Sequence, residues 1–147
     1  MEELSIIAYK KAGDYFKEGF NCAESIVKTF NELCYNPMEA EIVRIATGFG
    51  GGLGHAGCMC GALAGSIMIL GILKGRNNIT ESKEPTYELT KEFHDRFKLK
   101  FGATCCRILN PYKKLDSPEH LQNCVKITGN TAKLLIEFLK EKNLDCL

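Results

Sequence analysis

Hydrophobic and polar positions along the chain repeat at helical spacing, and no segment alternates in the way a half-buried strand does. Apolar residues recur every three or four positions over 2–18, 21–34, 37–46, 85–100 and from 118 onward. Polar residues 76–85 provide the only long connection. The pattern predicts an all-α fold, a single-domain bundle of five to six helices that occupies residues 1–147.

The stretch from Ala56 to Leu73 contains no charged residue and has the minimum length for a membrane span. Its first part is rich in Gly and Cys and no second span accompanies it, which favours a buried central helix. Gly57, Gly61 and Gly65 lie four residues apart and predict a small-residue face. Another helix or a prosthetic group could approach this face closely.

Composition and charge narrow the class of protein. The 147 residues are 45% hydrophobic and 25% charged, which is typical of a globular domain. A net charge of +1 provides no basic field for a phosphate backbone, so we expect no nucleic-acid partner. The opening residues Met1-Glu2-Glu3-Leu4 lack the pattern of a signal peptide, and we expect a cytoplasmic protein with no membrane span.

Cysteine is the unusual residue in this composition. We expect reduced thiols in the cytoplasm, where clustered cysteines bind metal or perform redox chemistry, although any one of them could simply fill the core. No C-x-x-C pair is present, which argues against a thioredoxin-type site, a zinc ribbon and covalently attached haem. The eight cysteines occupy positions 22, 34, 58, 60, 105, 106, 124 and 146.

Several cysteines fall where helices are predicted to begin. Cys22 follows the predicted N-cap Asn21, Cys60 begins the apolar helix, and the pair Cys105-Cys106 follows the predicted cap Thr104. The free N–H groups of a first helical turn stabilise a thiolate, so we expect lowered thiol pKa values. Cys124 differs, because it falls about two turns into the last helix.

The ordered motifs of the chain resemble the C_GCAxxG_C_C family of small redox-active proteins. The likeness covers about residues 4–140 and extends to the non-haem part of split-Soret-type cytochromes. It is carried by Asn21-Cys22-Ala23-Glu24-Ser25, Gly48-Phe49-Gly50-Gly51-Gly52, Cys60-Gly61-Ala62-Leu63-Ala64-Gly65, Phe101-Gly102-Ala103-Thr104-Cys105-Cys106-Arg107 and Cys124.

This resemblance implies a helical fold and an iron–sulfur cluster, without haem. The four family cysteines match Cys22, Cys60, Cys106 and Cys124. The triplet order here is Cys60-Gly61-Ala62, so Cys58 is a second candidate for the middle position, and Cys105 is an extra beside Cys106. Four thiolates from separate segments would suit a [2Fe–2S] cluster.

Other residues are candidates for the surroundings of that cluster. Backbone N–H groups of Gly50, Gly51 and Gly52 could donate to its sulfurs. Arg107 could offset negative charge, and His55 is the only histidine beside the cysteines. The three histidines are too scattered to predict a catalytic base.

Three functions therefore remain open. The first is electron transfer or redox sensing through a cluster, with an unnamed partner protein. The second is a cluster-free thiol/disulfide protein, and the third is a structural zinc or interaction domain. The small-residue face and the resemblance suggest a homodimer, and whether that face packs on its own chain or on a second copy is open.

Overall fold

The computed structural model describes residues 2–33, 41–111, 114–115 and 117–144, and the regular elements within them are helices, as predicted. The elements are α1 Glu2–Glu18, α2 Cys22–Leu33, α3 Ile42–Ala46, a 3-10 turn Thr47–Phe49, α4 Gly50–Leu53, α5 Gly61–Lys74, α6 Glu84–Phe101, α7 Cys106–Leu109 and α8 Pro118–Glu141. Residues 34–40, which hold Cys34 and the start of the third helix predicted over 37–46, lie outside the described ranges, and the end of that helix is confirmed as α3.

Short-range sequence signals determine where several helices begin and end. The predicted capping box forms before α2, because the Glu24 N–H donates to Asn21 Oδ1 at 2.8 Å and the Asn21 N–H donates to Glu24 Oε1 at 3.0 Å. Ser117 caps α8 by accepting a hydrogen bond from the His120 N–H at 3.2 Å. Gly102 ends α6 in the left-handed region, with φ of +90°.

The core is built around α5, which packs against α2, α6 and α8, while α1 packs against α8. Leu63 and Leu70 of α5 are completely buried. Phe93 of α6 meets Phe138 of α8 edge to face, with ring centroids 5.3 Å apart. The predicted Gly/Cys-rich central helix is therefore present, and it holds its neighbours in fixed positions around the cysteine segments.

The central helix begins where the position of Cys60 predicts, so the first residues of the charge-free stretch Ala56–Leu73 lie outside it. Helix α5 begins at Gly61, and Gly57 has a φ of +93° outside the helix. The small-residue face is therefore formed by Gly61 and Gly65 alone. Both pack on α2 of the same chain: a Cβ at Gly65 would lie 2.9 Å from the Ala23 carbonyl oxygen. This answers the question of which chain covers the face.

Within the described ranges, no helix combines the length and the apolar character needed to cross a bilayer. The middle of the charge-free stretch instead lies in the protein interior, since Ala62, Leu63 and Leu70 have no exposed surface.

We predict that Gly61→Ala destabilises the protein by roughly 1–3 kcal/mol, because the new methyl group would overlap Cys22 Sγ and push α2 away from α5. The matched control is Gly71→Ala in the same helix, where a Cβ meets nothing within 4 Å. We expect that variant to be neutral or up to about 1 kcal/mol more stable. Urea unfolding measures both, and equal free energies of unfolding for the two variants would contradict the assigned packing.

Candidate functional site

Four free thiols lie at or near the ends of the cysteine-bearing elements. Cys22 is the first residue of α2, Cys60 is the N-cap of α5, Cys106 is the first residue of α7, and Cys124 lies inside α8. Cys60 is 5% exposed, and the other three are half-buried. The predicted placement of three cysteines at helix starts is confirmed.

Backbone N–H groups surround the sulfur of Cys22. Burial raises the pKa of Cys22, and hydrogen bonds from the N–H groups of Gly51, Ala23 and Gly61 oppose this effect. These donors come from the glycine segment and from the first turns of α2 and α5. Local helix starts and a loop therefore converge on one thiol.

The Cys60 thiol is the most deeply buried of the four. Burial, together with negative charge on Cys22 and Cys106, raises the pKa of Cys60 to about 12. The N–H groups of Leu63 and Ala62 partly oppose the rise. The electrostatic coupling shows that Cys60, Cys22 and Cys106 occupy one region of the molecule.

Cys106 and Cys124 belong to the same electrostatic group. Burial raises the pKa of Cys106, and charge on Cys22 adds to the effect. Burial raises the pKa of Cys124 to about 12, and charge on Cys22 and Cys106 contributes in the same direction. Each of the four thiols therefore interacts with at least one other across long sequence separations.

The predicted lowering of the thiol pKa values is wrong for Cys22, Cys60 and Cys106, whose pKa values are raised. Amide donors are present at Cys22 and Cys60, but burial destabilises each thiolate by more than these hydrogen bonds stabilise it. Neighbouring thiolates also repel one another. In this metal-free form the thiols are therefore protonated at neutral pH.

The four thiols lie in one region, but they do not surround a single metal position. Among the described residues, no group of three or more His, Cys, Asp or Glu side chains is close enough to hold a single metal ion. The structure thus brings the four thiols within electrostatic range of one another without closing them around one point. A shared centre for Cys22, Cys60, Cys106 and Cys124 stays a prediction.

Cys58 and Cys105 form a disulfide, so the expectation that all cysteines are reduced thiols is wrong for this pair. The bond joins the segment before α5 to the segment before α7. The same two segments are held by the Cys60 N–H, which donates to the Thr104 carbonyl at 2.7 Å, and by the Arg107 N–H, which donates to the Gly57 carbonyl at 3.0 Å. This cross-link positions the backbones of Cys60 and Cys106.

The glycine segment 50–54 forms short turns, and its residues 51–54 all have positive φ angles. Gly52 has a φ of +68°, and a Cβ there would lie 2.6 Å from the Cys58 nitrogen and 3.1 Å from Cys106 Cβ. Gly50 lies against Asn21, and Gly51 lies against the exposed ring of His55. A side chain at Gly52 would separate the two cysteine segments.

Asn110 is a site residue that the sequence reasoning missed. Its side-chain NH2 donates to Cys124 Sγ at 3.1 Å and to the His120 carbonyl at 3.0 Å, and the residue is 6% exposed. The His120 carbonyl can only accept, which fixes this orientation of the amide. The hydrogen bond lowers the pKa of Cys124 against the larger effect of burial. It supplies the donor that a cysteine inside a helix otherwise lacks.

A cavity of about 510 Å³ lies beside these residues. Cys106, Asn110 and His120 line it, together with His55 and Arg107. Arg107 is exposed and forms no ion pair with a carboxylate of the described residues. At least one thiol is therefore reachable from solvent through a cavity that Arg107 lines.

The chain is similar to a known protein family and to an archaeal protein over most of its length. A family model described as "Putative redox-active protein (C_GCAxxG_C_C)" matches residues 20–138. An uncharacterized protein of Archaeoglobus fulgidus is 27% identical over 143 residues, which cover 92% of this chain and 95% of the relative. No solved structure matches the chain.

We predict that the metal-free protein loses stability as the pH rises above the ordinary cysteine pKa of 9.0. Cys60 keeps its proton to about pH 12 when folded, so between these values the folded state binds more protons than the unfolded state. The free energy of unfolding should fall by roughly 1 kcal/mol from this thiol between about pH 8 and about pH 10. Urea unfolding at both pH values measures the loss.

Cys60→Ser is the matched variant, because serine is a good N-cap and does not titrate in this range. Its stability should fall less steeply with pH than that of the unchanged protein. Tyr15, whose pKa burial raises to about 12, contributes equally to both proteins and cancels in the comparison. Identical pH slopes would refute the buried-thiol explanation.

We also predict that Asn110→Ala slows alkylation of Cys124 at a given pH, because the thiolate loses its hydrogen-bond donor. The matched control is Asn123→Ala: Asn123 Nδ2 donates to the Leu109 carbonyl at 3.0 Å, ties the same region to α8 and makes no bond to sulfur. Both variants should lose stability, by about 0.5–3 kcal/mol. Only the first should change the rate at Cys124, followed by peptide mass spectrometry.

Proposed function

This chain belongs to the C_GCAxxG_C_C family of redox-active proteins, and from that premise we propose that it is an electron-transfer or redox-sensing protein whose thiols hold an iron–sulfur cluster. Cys22, Cys60, Cys106 and Cys124 would be the ligands. A [2Fe–2S] cluster is the form that suits four cysteines taken from four separate segments.

One observation carries the proposal. The four cysteines that match the family pattern are free thiols that interact electrostatically, whereas Cys58 and Cys105 are joined to each other. The two extra cysteines are thereby removed from the set of available ligands. This division supports Cys60 over Cys58 and Cys106 over Cys105.

The surroundings of the thiols also fit a negatively charged cluster. N–H groups of Gly51 and Gly61 already point to the Cys22 sulfur, and those of Ala62 and Leu63 point to Cys60. Such donors stabilise sulfur that carries negative charge. Asn110 serves the same purpose at Cys124. The donors are thus distributed over three of the four proposed ligands.

Bound there, the cluster would supply one-electron redox chemistry. The chain itself would hold the group, keep the Cys60 side away from water and donate hydrogen bonds to the ligand sulfurs. Because the free thiols are protonated at neutral pH, loading must release protons and should become tighter as the pH rises.

The structural zinc alternative receives less support. A zinc ion needs four donors at about 2.3 Å around a single centre. The described residues offer no group of even three donors at one point. A [2Fe–2S] cluster spreads its four thiolates over two irons, so the four sulfurs need not surround a single point.

A cluster-free thiol/disulfide protein is the second candidate, and the Cys58–Cys105 disulfide is the observation that favours it. Each cysteine of this bond is followed closely by a free thiol. Cys60 comes two residues after Cys58, and Cys106 comes directly after Cys105. Oxidation of two thiols to a disulfide releases two electrons and two protons to an acceptor. The raised thiol pKa values count against this function, since the thiolate is the attacking species.

We predict that protein purified without oxygen is coloured and contains about two irons and two sulfides per chain. Cys22→Ser, Cys60→Ser, Cys106→Ser and Cys124→Ser should each lose most of the iron, because each removes one ligand. Metal analysis and visible absorption spectra measure the loading.

The control is the double variant Cys58→Ser/Cys105→Ser, which removes two sulfurs but none of the proposed ligands. It should keep the iron once circular dichroism has shown that it folds. Zinc without iron would refute the proposal in favour of a structural domain. A colourless, metal-free protein that reversibly gains and loses two thiols would refute it in favour of the second candidate.

A redox partner protein, a homodimer and a cytoplasmic location remain predictions. The face that suggested the dimer is covered by α2 of the same chain, so a dimer would need another surface.

A further inference from the structure

The cavity beside Cys106 has the dimensions of a small-molecule site. Its volume is about 510 Å³, within the range of about 300–1,000 Å³ that is usual for ligand pockets. Cys106 is half-buried and forms part of the wall, so a molecule in the cavity could lie against its sulfur. The space therefore connects solvent to one of the four free thiols.

Among the described residues that line the cavity, Arg107 is the one with a permanent charge. No carboxylate within the described ranges pairs with its guanidinium group. His55 and His120 line the same wall, and no Asp or Glu is among the described lining residues. An uncompensated arginine in a concave site favours an anion, because it offers a fork of N–H donors to a carboxylate.

The remaining walls are apolar. Pro111 and Leu115 line the cavity together with the backbone of Gly57, so part of the wall is apolar. An inorganic ion would leave these surfaces exposed to water. A carbon skeleton that carries an acidic group would use both the apolar wall and Arg107.

We propose that this cavity binds a small organic anion, which Arg107 holds by its carboxylate and which lies against Cys106. The proposal goes beyond the electron-transfer function, since Arg107 and the apolar wall residues that carry it are not among the proposed cluster ligands. Arg107 is thus assigned to ligand binding and is more than a counter-charge for the thiols.

The test measures binding of succinate, a dicarboxylate without a redox-active group, to the full chain as purified. Isothermal titration should show saturable binding of succinate and none of succinamide, the neutral molecule of the same size. Arg107→Gln should weaken the binding about tenfold or more, because a charge-assisted pair of hydrogen bonds is lost. Arg44→Gln is the matched control, since it removes the same charge from an exposed residue outside the cavity.

A second measurement reports on Cys106 directly. In metal-free protein, the rate of alkylation at Cys106 by anionic iodoacetate, relative to neutral iodoacetamide, should exceed the ratio for the unfolded chain by about tenfold. Added salt and Arg107→Gln should both lower this ratio. The effect of salt on the alkylation ratio is measured without a variant, so it tests the proposal even if Arg107→Gln folds poorly.

No saturable succinate binding, equal binding by succinamide, or an alkylation ratio that neither salt nor Arg107→Gln changes would each overturn the proposal. Iron content is measured on the same samples. Protein that binds succinate but contains no iron would refute the cluster alone, and protein that contains iron but ignores succinate would refute the anion site alone.

Discussion

The contact between Cys22 and Gly61 is the constraint on which the rest of the site depends. The Cys22 sulfur lies against a helical residue that has no side chain, so the first turns of α2 and α5 can lie side by side. That closeness lets the N–H of Gly61 reach the same sulfur that Gly51 and Ala23 approach. Two helix starts and the glycine segment therefore face one region, and any larger residue at position 61 would separate them.

A second constraint is electrostatic. The protein buries four thiols close enough to affect one another, which makes the formation of several thiolates unfavourable in the metal-free state. A bound cation would remove this penalty, because it replaces protons and offsets the repulsion between sulfurs. The amide donors alone do not do so. The site is therefore better suited to holding sulfur that is bonded to metal than to exposing reactive thiolates.

The sequence predicted the parts of the structure that local signals determine. The capping pair Asn21 and Glu24, the N-cap Ser117 and the terminating Gly102 each act within a few residues, and each forms as expected. The position of Cys22 at a helix start follows from the first of these signals. The predicted cap Thr104 was wrong, because Cys105 is the N-cap of α7, although Cys106 still begins that helix.

Features that depend on the path of the chain could not be predicted in this way. Cys58 and Cys105 are 47 residues apart, and nothing in their local sequence identifies them as partners. Asn110 precedes a proline and resembles an ordinary helix end, so its bond to Cys124 is visible only when α7 and α8 are placed together. The charge-free stretch likewise does not show that Gly57 lies outside α5, because Gly57 leaves the helical region by its backbone angle alone.

The disulfide has a practical consequence for how the protein is handled. It closes a loop that contains α5 and α6, and a cross-link over that length restricts the unfolded chain enough to stabilise the fold by about 4 kcal/mol. A strong thiol reductant added to protect Cys22 and the other free thiols from air would also reduce this disulfide. Oxygen-free buffers that contain no thiol would keep the free cysteines reduced and leave the disulfide in place.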